Sequence, residues 1–125
     1  MTNSILIVDD NRTVRECVHQ ILDQEPDFTV CGEAKDGREA VEMAGDLHPD
    51  VVIIDLAMPV MNGLEAAKLI HRYSPDINVI LYSNHSALFS DAEARSAGIS
   101  ALVSKSDHIS KLIGKTRALA QSAVA

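Results

Sequence analysis

Five short apolar segments alternate with amphipathic segments along this chain, and this alternation limits the possible folds more than any other feature. The most informative segment is Val51–Ile54, in which four consecutive β-branched residues are typical of a strand buried on both faces. Comparable apolar segments predict four more strands. The five predicted strands are Ser4–Val8, Phe28–Cys31, Val51–Ile54, Asn78–Tyr82 and Ala101–Ser104.

A segment with helical periodicity follows each predicted strand, and three of these segments begin with a capping signal. Asn11 can cap the first helix. Asp36 with Glu39 resembles a capping box for the second helix, and Ser90 with Glu93 resembles one for the fourth. The predicted helices cover about 12–25, 37–47, 64–73, 91–97 and 107–120.

Two glycine sites help to place the helix boundaries. Asn62-Gly63 is a common hairpin turn pair, but helical periodicity follows it, so we interpret it as a loop that leads into the third helix. Gly98 suits the first position beyond the end of the fourth helix, where a left-handed backbone is often required.

The order of elements predicts a doubly wound α/β fold in a single domain spanning residues 1–125. Strands joined through helices must be parallel, and right-handed crossovers place helices on both faces of the sheet. The first and third strands are the most apolar and belong in the centre. A strand order of 2-1-3-4-5 meets these conditions and leaves a crevice at the C-terminal ends of strands 1 and 3.

Composition and charge exclude several functional classes. The net charge of −7 leaves no basic face for direct nucleic-acid binding. The apolar segments are too short to span a membrane, and the N-terminus lacks a signal-peptide pattern. Cys17 and Cys31 lack metal or redox spacing, and Cys17 falls on an apolar helical stripe, so we predict a buried, reduced thiol there. These features predict a cytoplasmic protein.

Polar residues that can carry chemistry follow four of the predicted strands directly. Asp9 and Asp10 follow the first strand, Asp55 the third, Ser83 the fourth and Lys105 the fifth. Because the C-terminal ends of parallel strands lie at one edge of the sheet, these side chains are expected to converge. Taken singly, each has an ordinary explanation, such as a helix cap, a turn residue or a solvated surface charge. Their occurrence at successive strand ends favours a functional site.

The predicted cluster suits phosphoryl transfer to a carboxylate. Three carboxylates in one crevice repel one another unless a cation joins them, and oxygen-only ligands favour Mg²⁺. A carboxylate at Asp55, flanked by the metal ion and by Lys105, is equipped to attack phosphorus and form an aspartyl phosphate. The hydroxyl of Ser83 can then donate a hydrogen bond to the new phosphoryl group, which converts the covalent mark into a change of shape.

These residues resemble the receiver family of two-component response regulators, which has the flavodoxin-like (βα)5 fold of CheY, over essentially the whole chain. Asp9-Asp10 match the acidic pair of the family, Asp55 in IIDLAMPVMNG its phosphoacceptor, Ser83 its switch hydroxyl and Lys105 its lysine. The segment that begins Ser83-Asn84 is similar to receivers of LuxR-type transcription regulators. The family's chemistry is self-phosphorylation and autodephosphorylation dependent on Mg²⁺, so the chain is not expected to be a turnover enzyme.

The resemblance also implies partners and metal ligands. A sensor histidine kinase or a phosphotransfer protein would donate the phosphoryl group, and output would pass through the fourth and fifth strand–helix connections. The backbone carbonyl of Ala57 would complete the metal's protein ligands with the Asp10 and Asp55 carboxylates, and Asp9 would act through water. The resemblance leaves open whether phosphorylation promotes a homodimer and whether a DNA-binding output domain follows.

Four residues near the proposed switch depart from the family pattern or could affect the switch. Leu102 occupies the usual place of an aromatic residue, and a leucine cannot present a ring that alternates between two positions. Asn84 replaces a small residue beside the switch hydroxyl and would narrow the entry of the phosphodonor. His85 lies near the proposed site, where it could influence the lifetime of the phosphoryl group. Ser106 replaces the proline that usually follows the lysine.

Two alternatives accompany this prediction. A receiver-like interaction module with phosphorylation-independent output is suggested by Leu102 and Asn84. The other is an enzyme. A phosphatase of the haloacid-dehalogenase type would need a second aspartate where this chain has Ala57. A flavin-binding flavodoxin would need a phosphate loop rich in serine, threonine and glycine after the first strand, where this chain has Asp-Asp-Asn-Arg.

Overall fold

The computed structural model describes residues 2–84 and 90–124, which form five parallel strands and five helices. The sheet has the predicted order β2-β1-β3-β4-β5. The strands are β1 (Asn3–Val8), β2 (Phe28–Ala34), β3 (Val51–Ile54), β4 (Asn78–Ser83) and β5 (Ala101–Ser104). The helices are α1 (Arg12–Asp23), α2 (Gly37–Leu47), α3 (Gly63–Tyr73), α4 (Asp91–Ser96) and α5 (Ile109–Val124).

The sheet separates two hydrophobic clusters, because successive side chains of a strand point to opposite faces. Leu6 and Val52 belong to the cluster that contains residues of α2, α3 and α4. Ile5 and Ile53 belong to the other cluster, with residues of α1 and α5. All four residues of β3 are buried, as expected for a central strand covered on both faces. The helices therefore cover both faces of the sheet, as the order of elements predicted.

The second strand extends beyond the predicted end at Cys31. Gly32, Glu33 and Ala34 pair with Leu6, Ile7 and Val8 across a shift in register that follows Ile5. Because β2 is an edge strand, it can carry a charged residue, and Glu33 forms an ion pair with Arg15 of α1. The strand predicted from apolar residues alone therefore ended three residues too early.

Side-chain caps fix most of the helix starts. Asn11 accepts a hydrogen bond from Val14 N, as predicted. The predicted capping box of Ser90 with Glu93 is complete. Asn62 and Glu65 form a further capping box, which was not predicted. Asn62-Gly63 therefore leads into a helix, which confirms that prediction.

Some predicted boundaries and contacts differ from the structure. Asp36 caps α2 by accepting a hydrogen bond from Glu39 N. The Glu39 side chain accepts a hydrogen bond from Lys35 N rather than from Asp36 N, so the capping box predicted for α2 is half formed. The last helix begins two residues later than predicted and continues to Val124. Gly98 has a φ of 81° after the end of α4, in agreement with the prediction.

The prediction of a buried thiol at Cys17 was wrong, because this side chain is exposed. The buried stripe of α1 is centred on Val18 and Leu22, and Cys17 lies beside it on the helix. In the described ranges, no helix has both the length and the hydropathy required to cross a bilayer.

Candidate functional site

The predicted site residues meet at the C-terminal edge of the sheet. Asp9, Asp55 and Lys105 each follow a strand directly, and Ser83 is the last residue of β4. The Lys105 Nζ atom lies 2.7 Å from Asp9 Oδ2 and 3.5 Å from Asp55 Oδ2. Residues separated by nearly the whole chain are thus brought into direct contact, because strands 1, 3 and 5 are parallel.

Three carboxylates form the acidic part of the site. One oxygen atom from each of Asp9, Asp10 and Asp55 lies within 4.8 Å of the others. Asp9 and Asp55 are buried, with 3% and 8% of their surface exposed, whereas Asp10 is exposed. Among the described residues, Lys105 is the one whose ammonium group contacts Asp9 and Asp55. The three carboxylates together therefore carry more negative charge than Lys105 balances, and a bound cation would offset the excess.

Both carboxylate oxygens of Asp9 are already engaged. Oδ1 accepts a hydrogen bond from Asn11 N at 2.9 Å, and Oδ2 accepts one from Lys105. The backbone carbonyl of Asp9 accepts a further bond from Arg15 at 2.8 Å. Asp9 is therefore held in place from three directions, while the exposed Asp10 carboxylate retains more freedom to bind an ion. Arg15 was missed from the sequence, since no motif connects a helical arginine with this carbonyl.

Asp55 lies in an environment that disfavours its charged form. Burial, and then the negative charge of Asp9, raises the pKa of Asp55 above its ordinary value, although Lys105 acts in the opposite direction. Hydrogen bonds from Leu56 N and from the Ser83 hydroxyl also lower this pKa, by less. Asp55 Oδ1 accepts the bond from Leu56 N at 2.9 Å. The carboxylate is thus fixed at one oxygen, and its burial costs free energy that a cation would reduce.

The charge of Lys105 is secured by its neighbours. Burial alone lowers the pKa of Lys105, but the hydrogen bond and charge of Asp9, with those of Asp55, outweigh it and raise the pKa above its ordinary value. The ammonium group therefore stays protonated beside the Asp55 carboxylate. A fixed positive charge in this position can stabilise negative charge that develops on a ligand bound at Asp55.

A family comparison agrees with this arrangement. The sequence model described as "Response regulator receiver domain" matches residues 5–117. The chain belongs to the response regulator receiver family. It is therefore a receiver domain of the kind found in two-component response regulators, and its CheY-like fold is the one predicted from the order of elements.

Solved receiver domains superimpose on nearly the whole chain. The response regulator domain of Thermotoga maritima CheB is 34% identical with a TM-score of 0.89, covering 97% of this chain and 98% of that one. A LuxR-family response regulator from Aurantimonas sp. SI85-9A1 is 30% identical with a TM-score of 0.89, covering 98% and 87%. TrrA from Thermotoga maritima, in complex with Mg²⁺ and BeF, is 30% identical with a TM-score of 0.85, covering 94% and 99%.

The curated relatives are longer than this receiver domain. The transcriptional regulatory protein DegU of Brevibacillus brevis is 45% identical over 82 residues, which are 65% of this chain and 34% of DegU. The chain thus spans about a third of that relative's length.

The loop after Asp55 returns to it at Gly63. Gly63 N donates a hydrogen bond to the Leu56 carbonyl at 2.8 Å, and a side chain at position 63 would collide with the backbone carbonyl oxygen of Asp55. Glycine is therefore required by this close approach. Ala57 lies in this loop, two residues after Asp55, and is exposed.

The residues that the sequence predicts to be related to a switch differ in their surroundings. Ser83 is fully buried, and Asn84 beside it is exposed. Leu102 is half-buried and packs against the cluster that includes α4 residues, whereas Tyr82 belongs to the cluster on the opposite face. Tyr82 and Leu102 therefore lie on opposite faces of the sheet. His85 lies outside the described residues.

Proposed function

We propose that this receiver domain is a phosphorylation switch in which Asp55 accepts a phosphoryl group from a histidine of a sensor kinase or phosphotransfer protein. The observation that carries the proposal is the buried Asp55 carboxylate, with the ammonium group of Lys105 3.5 Å away and two further carboxylates beside it. This combination supplies a nucleophile, a fixed positive charge and cation ligands at one point. The proposed switch comprises residues 1–125.

The acidic cluster fits Mg²⁺, because its donors are oxygen atoms and one of its residues, Asp10, is exposed to water. Asp10 and Asp55 would bind the ion through their carboxylates and Ala57 through its backbone carbonyl. Asp9 would act through water, in agreement with the engagement of both its oxygens by Asn11 and Lys105. When bound, Mg²⁺ neutralises negative charge on the phosphoryl oxygens. The Mg²⁺–BeF complex of TrrA supports this assignment by similarity.

In the proposed reaction, a carboxylate oxygen of Asp55 forms a bond to phosphorus while the bond from phosphorus to the donor nitrogen breaks. The donor imidazole leaves with the bonding electron pair and takes up a proton. Lys105, held by Asp9, stabilises the negative charge of the transferred group. Hydrolysis of the aspartyl phosphate by water resets the switch. In this proposal, the chemistry of the domain consists of its own phosphorylation and dephosphorylation.

Ser83 connects the phosphoryl group to the surface. Its hydroxyl donates a hydrogen bond to the Asp55 carboxylate, which helps to lower the pKa of Asp55. Phosphorylation would offer this hydroxyl a phosphoryl oxygen in its place. Because Ser83 is fully buried at the end of β4, its movement would shift the connections after β4 and β5. These connections form the proposed output region, with Asn84 at the entry for the phosphodonor.

The test is labelling with acetyl phosphate in the presence and absence of Mg²⁺. We expect the label on Asp55, dependence on Mg²⁺, and loss of the label in Asp55→Asn. Asp46→Asn is the matched control, because Asp46 is an exposed aspartate near the end of α2. A label that survives Asp55→Asn would contradict the proposal.

A second candidate is a receiver-like interaction module whose output does not depend on phosphate. Leu102 favours it, since its side chain packs on the core in the position where the family usually has an aromatic residue. BeF₃⁻ with Mg²⁺ separates the two candidates by NMR. Shifts that extend along β4 and β5 support the switch, and shifts confined to the site residues support the second candidate.

A further inference from the structure

Val60 has a backbone conformation that valine rarely adopts. Its φ is 68°, and Met61 N donates a hydrogen bond to the Pro59 carbonyl at 2.7 Å, which closes a γ-turn with Val60 at its centre. β-Branched residues are strongly disfavoured at positive φ, where glycine or asparagine is usual. The valine therefore strains the turn that contains it.

The side chain of Val60 gains little from the rest of the chain. It is 77% exposed, the largest value among the exposed large hydrophobic residues of the described ranges. The turn itself has a structural use, because the Met61 carbonyl accepts a hydrogen bond from Gly37 N at the start of α2. Glycine at position 60 would form the same backbone turn with less strain, so the fold does not account for a valine.

His48 is the other non-glycine residue with positive φ in the described ranges. It follows the C-terminus of α2, and its side chain contacts Asp76 at 3.0 Å. The identity of His48 therefore has a reason within the chain. Val60 has no comparable side-chain contact within the described residues, so its identity points to a contact with another molecule.

The position of Val60 indicates what contacts it. The turn belongs to the loop that leaves the sheet at Asp55 and returns to the Asp55 backbone at Gly63. Asp55 is 8% exposed, so a protein that delivers a phosphoryl group to it has to approach closely, and this loop begins and closes at the Asp55 backbone. A small donor such as acetyl phosphate needs no such contact.

We propose that Val60 is a recognition residue, which packs against an apolar side chain next to the phosphohistidine of the protein donor. This inference rests on the proposed function of Asp55 as phosphoacceptor. The Val60 side chain is exposed in the domain by itself, so its methyl groups would be buried only when the donor protein docks. Val60 thereby favours transfer from protein donors over small phosphodonors.

The experiment compares two rates in each variant: phosphotransfer from a purified histidine kinase and labelling by acetyl phosphate. The kinase is the one that transfers fastest to the unmodified chain among those of the organism that encodes it. The variants Val60→Gly and Val60→Asn suit positive φ but lack the methyl groups, and Val60→Ile retains them. Tyr73→Ser is the matched control, because Tyr73 is 72% exposed at the far end of α3.

We expect the ratio of kinase rate to acetyl phosphate rate to fall about 10-fold in Val60→Gly and Val60→Asn, since the burial of a valine side chain is lost. The ratio should stay within about 2-fold in Val60→Ile and Tyr73→Ser, where that burial is unchanged. The melting temperature of Val60→Gly should rise by about 2–5 °C as strain is relieved. An unchanged ratio in Val60→Gly overturns the inference, and a lower melting temperature overturns its premise of strain. Failure of acetyl phosphate to label Asp55 would instead overturn the proposed function.

Discussion

Replacing Asp55 with asparagine is expected to stabilise the protein while abolishing phosphorylation. The substitution removes one buried negative charge and keeps the side-chain shape and the carbonyl oxygen that accepts the hydrogen bond from Leu56 N. At the 3.5 Å separation from Lys105, the lost attraction amounts to about 4.7 kcal/mol at an effective dielectric constant of about 20. Repulsion from Asp9, whose ligand oxygen lies within 4.8 Å, amounts to at least about 3.5 kcal/mol on the same basis.

Asp10 adds a further repulsion of about 1 kcal/mol, since it is exposed and screened by water. Attraction and repulsion at Asp55 therefore nearly cancel, and the cost of burying its carboxylate remains. This agrees with burial as the largest cause of the raised pKa of Asp55. We expect Asp55→Asn to raise the free energy of unfolding by about 1–2 kcal/mol at pH 7, and the melting temperature by about 3–10 °C.

The assay is urea unfolding of both proteins in metal-free buffer between pH 3 and pH 8. Folding raises the pKa of Asp55 above its ordinary value of 3.8. The protonated Asp55 side chain therefore favours the folded state at pH values below 3.8, and this contribution to stability is lost as pH rises through the folded-state pKa. The advantage of Asp55→Asn should thus be small at pH 3 and fully developed at pH 7. Asp46→Asn should change stability by less than about 0.5 kcal/mol throughout. If Asp55→Asn unfolds at a lower free energy at pH 7, or if its gain in stability does not depend on pH, then the buried charge of Asp55 does not destabilise the fold as predicted.

Three further predictions concern the same site. Lys105→Met should lower the free energy of unfolding by about 2 kcal/mol at pH 7, because two buried carboxylates lose their counter-charge. The loss should be smaller at pH 4, and urea titrations at both pH values measure it. Mg²⁺ at about 100 times its Kd should stabilise the protein by about 2.7 kcal/mol, and Asp10→Asn should lose most of this gain in melting curves at constant ionic strength. Gly63→Ala should cost more than about 2 kcal/mol because its methyl group meets the Asp55 carbonyl, whereas Gly45→Ala, with open space around it, should be neutral or stabilising in the same denaturation assay.

Much of the fold could be predicted, because its determinants are local. Val51–Ile54 and Ala101–Ser104 were predicted to the residue, since their apolar character coincides with the sheet. The end of β2 was not predicted, because Glu33 is accommodated by an ion pair with Arg15, which comes from a distant part of the chain. The burial of Cys17 was predicted wrongly, because helical periodicity alone does not distinguish the centre of a buried stripe from its edge.

The candidate site could be predicted to the level of which residues meet. Parallel strands bring Asp9, Asp55 and Lys105 to one edge whatever the details of packing. The sequence did not indicate that Lys105 lies closer to Asp9 than to Asp55, because this depends on distances set by the packed sheet. Nor did it reveal the γ-turn at Val60, since nothing in a valine suggests positive φ.

A crystal structure of the protein with Mg²⁺ and BeF₃⁻ tests the proposed phosphorylation of Asp55. We predict the beryllium fluoride on the Asp55 carboxylate, Lys105 Nζ within hydrogen-bond distance of a fluorine atom, and the metal bound by Asp10, Asp55 and the Ala57 carbonyl. Beryllium fluoride bound away from Asp55, or a metal ion that Asp10 and Asp55 do not share, would contradict the proposed phosphorylation switch.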